Sequence, residues 1–134
     1  MTGTSFTQQK LVKGTYYKYV VVAVDGSGKV LSISKNVYAA TTGGKNGNPK
    51  TVTTKAKGNK VSLKAKKSFK LSAKATAAKK QKIKKFRALS YESSNGAVAT
   101  VSKKGVIKAV GKGKCIVYVY AQNGFSKKIK VTVK

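Results

Sequence analysis

At 134 residues, 40% of them apolar, the chain has room for one ordinary domain or two small ones around a modest core. Thirty basic residues, all lysine except Arg87, face two acids, Asp25 and Glu92, for a formal charge of +28. With no histidine and a single cysteine, Cys115, the composition excludes an internal disulfide and a His/Cys metal cluster, and it leaves acid–base catalysis without its usual groups.

Tyr17, Tyr19, Val21 and Ala23 alternate along a predicted first strand, and Asp25-Gly26-Ser27-Gly28 turns the chain into a second over residues 30–40. Leu11, Gly14 and Thr15 precede them, so the run reads Leu-x-x-Gly-Thr-x-Tyr-x-Tyr-x-Val-x-Ala. This pattern resembles the last third of a fibronectin type III domain, with Gly28, Ser34 and Thr41-Thr42 fitting its closing strand. The resemblance implies that Tyr17 packs in a core and bonds backbone through its hydroxyl. The earlier strands of such a sandwich are missing, and two or three strands alone leave an apolar face uncovered. Residues 1–42 are therefore expected to be disordered, to pack on the following module or to pair with another chain.

Residues 43–50 hold three glycines, two asparagines and the only proline, which reads as a linker to a module at residues 51–134. In that module Val61 and Leu63 open, and Phe69, Leu71, Ala73 and Ala75 alternate with Lys70, Ser72 and Lys74 as one strand. Residues 77–85 lack alternation. Their propensity allows a helical turn, but their crowded lysines favour a solvated connection. Leu89 and Tyr91 lead into Ser93-Ser94-Asn95, followed by Val98, Val101 and Gly105 with residues 106–110. Cys115, Val117, Val119 and Ala121 form another face, and Ile129, Val131 and Val133 the last one.

Here the motif is specific: Tyr-x-Ser-Ser-Asn-x-x-Val-Ala-Thr-Val-Ser-x-x-Gly-Val-Ile-x-Ala-x-x-x-Gly, then Val117-x-Val119-x-Ala121 and Val131-Thr132-Val133. Residues 52–134 resemble a bacterial immunoglobulin-like domain of group 2. Two positions depart from the usual pattern: Cys115 stands where a small residue is common, and Tyr91 where tryptophan often anchors the core. The fold class expected is all-β, an immunoglobulin-like β-sandwich preceded by a partial fibronectin type III-like segment. The resemblance implies a spacer or display module of bacterial surface adhesins and secreted enzymes, sometimes adhesive. Met1-Thr2-Gly3-Thr4 carries no leader, so a chain of this kind is expected to be part of a longer precursor.

The last hairpin has a register problem that the pattern itself resolves. A two-residue Asn123-Gly124 turn would set Val119 opposite Lys128, and period-two alternation makes that an error along the whole strand. An odd loop or a bulge is expected instead, with Val119 meeting Ile129 and Val117 meeting Val131.

No residue pattern supports catalysis. Cys115 falls among core positions and reads as a buried structural thiol. Gly111-Lys112-Gly113-Lys114 lacks the phosphate-loop spacing and reads as a turn, and no cofactor or metal is implied. The candidate surface is Tyr118 and Tyr120 beside Lys128 and Lys130, where rings could stack on sugars while lysines meet anions. The bland reading is cross-strand pairing that covers an exposed sheet. The expected function is a non-catalytic extracellular module, loosely attracted to anionic cell-wall polymers or acidic glycans and flanked by neighbouring domains of its parent. A carbohydrate-binding or adhesive module with a defined ligand is the alternative. Nucleic-acid attraction is expected from charge alone, without specificity, because lysine lacks the arginine fork. Membrane insertion is not expected, since the longest apolar run covers only residues 19–24.

Overall fold

Alternating apolar positions become a sandwich when two sheets bury their apolar faces against each other, and this is what the second part of the chain does. The computed structural model describes residues 3–44, 47–78 and 86–134, so most of the connection expected at residues 77–85 lies outside the described residues. The strands are β1 (Tyr16–Tyr19), β2 (Val22–Val24), β3 (Val30–Ile33), β4 (Val37–Ala40), β5 (Thr51–Thr53), β6 (Lys60–Leu63) and β7 (Ser68–Lys70). They continue with β8 (Lys74–Thr76), β9 (Ser90–Ser93), β10 (Ala99–Val101), β11 (Val106–Ala109), β12 (Gly113–Tyr120) and β13 (Ser126–Val133).

One layer is a four-stranded sheet in the order β6-β13-β12-β9, the other a three-stranded sheet in the order β10-β11-β7, with β5 paired to β8 alongside. Val117, Val119, Ile129, Val131 and Val133 project from the first layer, and they share one core with Ile107, Ala99 and Ala109 of the second and with Leu71 and Val52. Each of these valine, leucine and isoleucine side chains, withdrawn from water, contributes roughly 1.5–3 kcal/mol to the fold. Cys115 belongs to this core, as its place in the alternation requires. Tyr91 packs against its edge, and Gly105 sits on the Tyr91 ring with φ +70, where an added Cβ would come within 2.8 Å of the ring. The glycine of the central motif is thus required by the tyrosine fourteen positions before it, as well as by its own left-handed turn.

Three expectations need correction. The single strand expected through Phe69, Leu71, Ala73 and Ala75 is two. β7 joins β11 in the three-stranded sheet, whereas β8 joins β5, and Ser72 with φ +46 turns the corner between them. Leu71 fills that corner from inside. In the last hairpin, the loop is odd, as expected, but its centre lies one residue earlier. Gln122-Asn123-Gly124 forms a three-residue loop closed by the Ala121 N–H donating to Phe125 C=O at 2.8 Å, with Gly124 at φ +81. Val117 therefore meets Ile129, Cys115 meets Val131, and Val119 faces Lys127. The faces are those expected and the partners are shifted by two.

Third, the two strands expected before residue 42 are each interrupted. β1 pairs with β4 and β2 with β3, so residues 16–40 form one long hairpin. Between the Tyr19–Val37 and Val22–Ile33 pairs, two residues oppose three, and the Ser34 hydroxyl takes up the Val21 N–H at 2.9 Å across that bulge. The Tyr17 hydroxyl accepts the Val12 N–H at 2.8 Å, a backbone bond of the kind expected, but the ring is half-buried and, among the described residues, lies outside the buried cluster. β2 and β3 are exposed along their whole length.

Candidate functional site

Alternation along β12 sends Lys114, Ile116, Tyr118 and Tyr120 to the outer face of the four-stranded sheet. Register then sets their neighbours: Lys128 of β13 and Glu92 of β9 stand either side of Tyr118, and Ser126 and Ser90 either side of Tyr120. The two tyrosine rings lie nearly parallel, 13° apart with centroids at 5.8 Å. The structure thus brings Tyr118, Tyr120 and Lys128 together. Lys130 stands one step further along, opposite Ile116, and borders a separate groove.

Tyr120 is engaged from two further directions. Its hydroxyl donates to Glu92 Oε2 at 3.1 Å, and Lys35 of the N-terminal hairpin places its ammonium 4.6 Å from the ring centroid. Lys35 also forms an ion pair with Glu92. The hydrogen bond from Lys35, then that from Tyr120, holds the Glu92 carboxyl below the usual carboxylate range, and the same bond raises the Lys35 ammonium. Burial, with the Glu92 bond behind it, raises the Tyr120 hydroxyl. Tyr120 therefore has Tyr118 and Lys35 against its ring, and Tyr118 is the ring more open to a ligand. Lys35 and Glu92 lie 57 positions apart, and alternation within one module carries no signal that they meet.

A second cluster centres on Gln122, a buried polar residue in the β12–β13 loop. Its Oε1 accepts the Arg87 N–H at 2.7 Å and the Tyr16 hydroxyl at 3.3 Å, and its Nε2 donates to Gly47 C=O at 2.9 Å. Its backbone C=O accepts the Tyr38 N–H at 2.7 Å. The guanidinium of Arg87, the one arginine, lies over the Tyr38 ring at 3.9 Å from the centroid. Asn48 bonds both the N–H and C=O of Ala40, and Asn123 donates to Pro49 C=O at 3.0 Å. The hairpin, the segment after it and the sandwich are thus joined at one loop. Asparagine and glycine at residues 43–50 are legible as a linker; that Gln122 would fasten it is not.

Cys115 is buried, and among the described residues no three His, Cys, Asp or Glu side chains come together as metal ligands. Residues 110–112 form the bend between β11 and β12, and Gly113 and Lys114 begin β12. No described helix is long and apolar enough to cross a membrane.

Residues 48–132 match the family described as bacterial Ig-like domain (group 2). Among solved structures, the chain is similar to the S-layer protein SbsC, with a TM-score of 0.54 and 16% identity over 95% of this chain and 21% of that one. Domains 4 and 5 of the same S-layer protein give a TM-score of 0.52 and 16% identity, covering 94% of this chain and 74% of that one. An intimin mutant from EHEC O157:H7 matches 53% of this chain and 34% of its own, at 20% identity and a TM-score of 0.40. At these identities the S-layer likeness is one of fold. The chain spans about a third of the intimin chain and a fifth of the long S-layer chain. A comparison with curated proteins finds no match.

Proposed function

The chain belongs to the group 2 bacterial Ig-like domain family, and on that footing we propose that it is a non-catalytic structural and adhesion module of a bacterial surface or secreted multidomain protein. In this reading residues 1–42 are a partial fibronectin type III-like segment, residues 43–50 the connection and residues 51–134 the Ig-like domain. The module acts outside the cell as a spacer that displays its neighbours, and its lysines attract anionic cell-wall polymers or acidic glycans loosely.

One observation carries the spacer reading: the preceding segment and residue 133 lie at opposite poles of the sandwich. Gly47, Pro49 and Tyr38 bond to the loop at residues 122–123, while Val133 pairs with Gly113 at the far end of the same hairpin. Eight-residue strands separate the poles by roughly 25 Å. Between them β6 runs parallel to β13 through four register pairs. Tension along the chain pulls these two strands in opposite directions along their axes, which loads their hydrogen bonds together in shear.

Single-molecule pulling tests this. Handles at residues 50 and 134 are expected to give one sharp unfolding event, at clearly higher force than handles at the register partners Gly113 and Val133, which peel β12 from β13 one bond at a time. Equal forces from the two geometries would remove the mechanical argument. The parallel Tyr118 and Tyr120 rings favour a second reading, a defined carbohydrate site at Tyr118, Tyr120, Lys128 and Lys130.

A further inference from the structure

We propose that an open groove around Ile116, on the outer face of the four-stranded sheet, binds a linear polysaccharide that carries carboxylate groups. The inference rests on the polyanion attraction proposed above and gives it a place. The groove has a volume of about 910 Å³ and is bordered by Lys60, Lys114, Lys130 and Lys134, with Ile116 and Thr132 between them. This lies within the size range of small-ligand sites, though open rather than enclosed.

Sheet register explains why four ammonium groups meet there. Thr132 is opposite Lys114 on β12, with Lys130 two residues before it on β13 and Lys134 two residues after it, just past the end of the strand at Val133. Lys130 is in turn the direct register partner of Lys60 on β6, and both are exposed. Like charges placed directly opposite across a sheet destabilise it. Neither acidic side chain of the protein relieves them. Glu92 is bonded to Lys35 and Tyr120, and Asp25 accepts bonds from Ser27 and Lys29 within its own loop. An external anion would supply the counter-charge that the fold leaves out of this groove.

Two features choose the kind of anion. Lysines offer point charges without the rigid fork that grips one phosphate or carboxylate, and here they are spread out: Lys60 and Lys130 pair across adjacent strands roughly 4.8 Å apart, and Lys134 follows Lys130 by four residues, roughly 13 Å along the chain. That suits charges repeated along a polymer better than one compact ion. The groove surface is mostly apolar around Ile116, and Tyr118 stands two positions along β12 on the same face, outside the groove. The C–H faces of sugar rings would cover this surface, whereas a chain of bare phosphates would leave it uncovered.

The test uses the full chain and an oligogalacturonate probe at about 150 mM salt, with neutral dextran and linear polyphosphate as comparison ligands. One triple variant, Lys60→Gln, Lys114→Gln and Lys130→Gln, is set against another that removes three charges elsewhere, Lys67→Gln, Lys104→Gln and Lys108→Gln. Thermal melts check that both fold. The groove triple is expected to lose at least tenfold in affinity and the control triple less than threefold, with polyphosphate binding the wild type more weakly than the uronate chain. Equal losses in the two triples would overturn the groove and leave diffuse attraction standing. No binding of any polyanion even at low salt would overturn the attraction as well. Polyphosphate binding as tight as the uronate chain would refute the sugar assignment. Loss of binding in Tyr118→Ala with none in the groove triple would move the site to the tyrosines.

Discussion

The hairpin at residues 16–40 and the sandwich at residues 51–134 are written in the same alphabet, valine, isoleucine and tyrosine alternating with polar residues, yet they end in opposite states. Ile129 is wholly buried, whereas Val21, Leu31 and Ile33 are 67%, 65% and 65% exposed. Strand pairing is not the difference, since β2 and β3 form a regular antiparallel ladder apart from a bulge. What differs is the second layer. Residues of β12 and β13 meet Ile107, Leu71 and Val52 across the core, and nothing among the described residues stands opposite β2 and β3 in the same way. A ladder fixes direction and spacing, while burial requires another sheet.

The largest expected effect comes from truncating the same kind of side chain in each region. Ile129→Ala should cost about 2–5 kcal/mol in urea unfolding because it leaves a cavity between two sheets. Leu31→Ala should change stability by less than about 0.5 kcal/mol. Similar losses at both positions would mean that β3 is buried in solution, and the contrast would fail.

Next in size is the joint between the regions. Gln122→Ala removes the acceptor of the Arg87 N–H and the donor to Gly47 C=O, and leaving such groups unpaired costs about 1–3 kcal/mol. Hydrogen exchange should show the Arg87 amide losing protection, while amides in the β12–β13 ladder keep theirs. An unchanged Arg87 amide would show that the Gln122 side chain does not hold that amide.

The smallest effect belongs to the outer-face tie. The folded state holds Glu92 below its ordinary value, through Lys35 first and Tyr120 second. Its contribution is therefore fully present above the unfolded value, that of an ordinary glutamate, and is lost as pH falls through the lower, folded one. Because the pair is largely exposed, the whole contribution should be under about 0.5 kcal/mol. Wild type and Glu92→Gln should differ slightly at neutral pH and converge in acid. A difference that persists at pH 2 would assign the effect to something other than this ion pair.

Much of the sandwich was legible because its signals are local. Period-two alternation identified the inward faces of β12 and β13, and parity alone ruled out the two-residue Asn123-Gly124 turn. The partner shift of two residues was not legible, since loops centred on residue 123 or 124 both keep valines on the inner face. Likewise, Phe69, Leu71, Ala73 and Ala75 alternate without a break, and nothing local shows that Ser72 turns the corner between two sheets. Of the candidate surface, Tyr118, Tyr120 and Lys128 were found by counting along strands. Lys35 and Glu92 were missed because their meeting depends on how the hairpin lies against the sandwich. Spacing alone sets Lys130 beside the tyrosines, but its opposite number is Ile116 and its neighbour on β6 is Lys60.

Sequence by itself determined the all-β class, the family motif from Tyr91 to Gly113, the inward and outward faces, and a surface of lysines with almost no acids. These follow from spacing and composition, which act within a few residues. Tertiary structure decided which strands share a sheet and which apolar ladder is covered. It also decided where four lysines converge without an acidic side chain, and that Gln122 joins the two regions. Those outcomes depend on residues far apart in the chain reaching the same place, and no local pattern encodes that meeting.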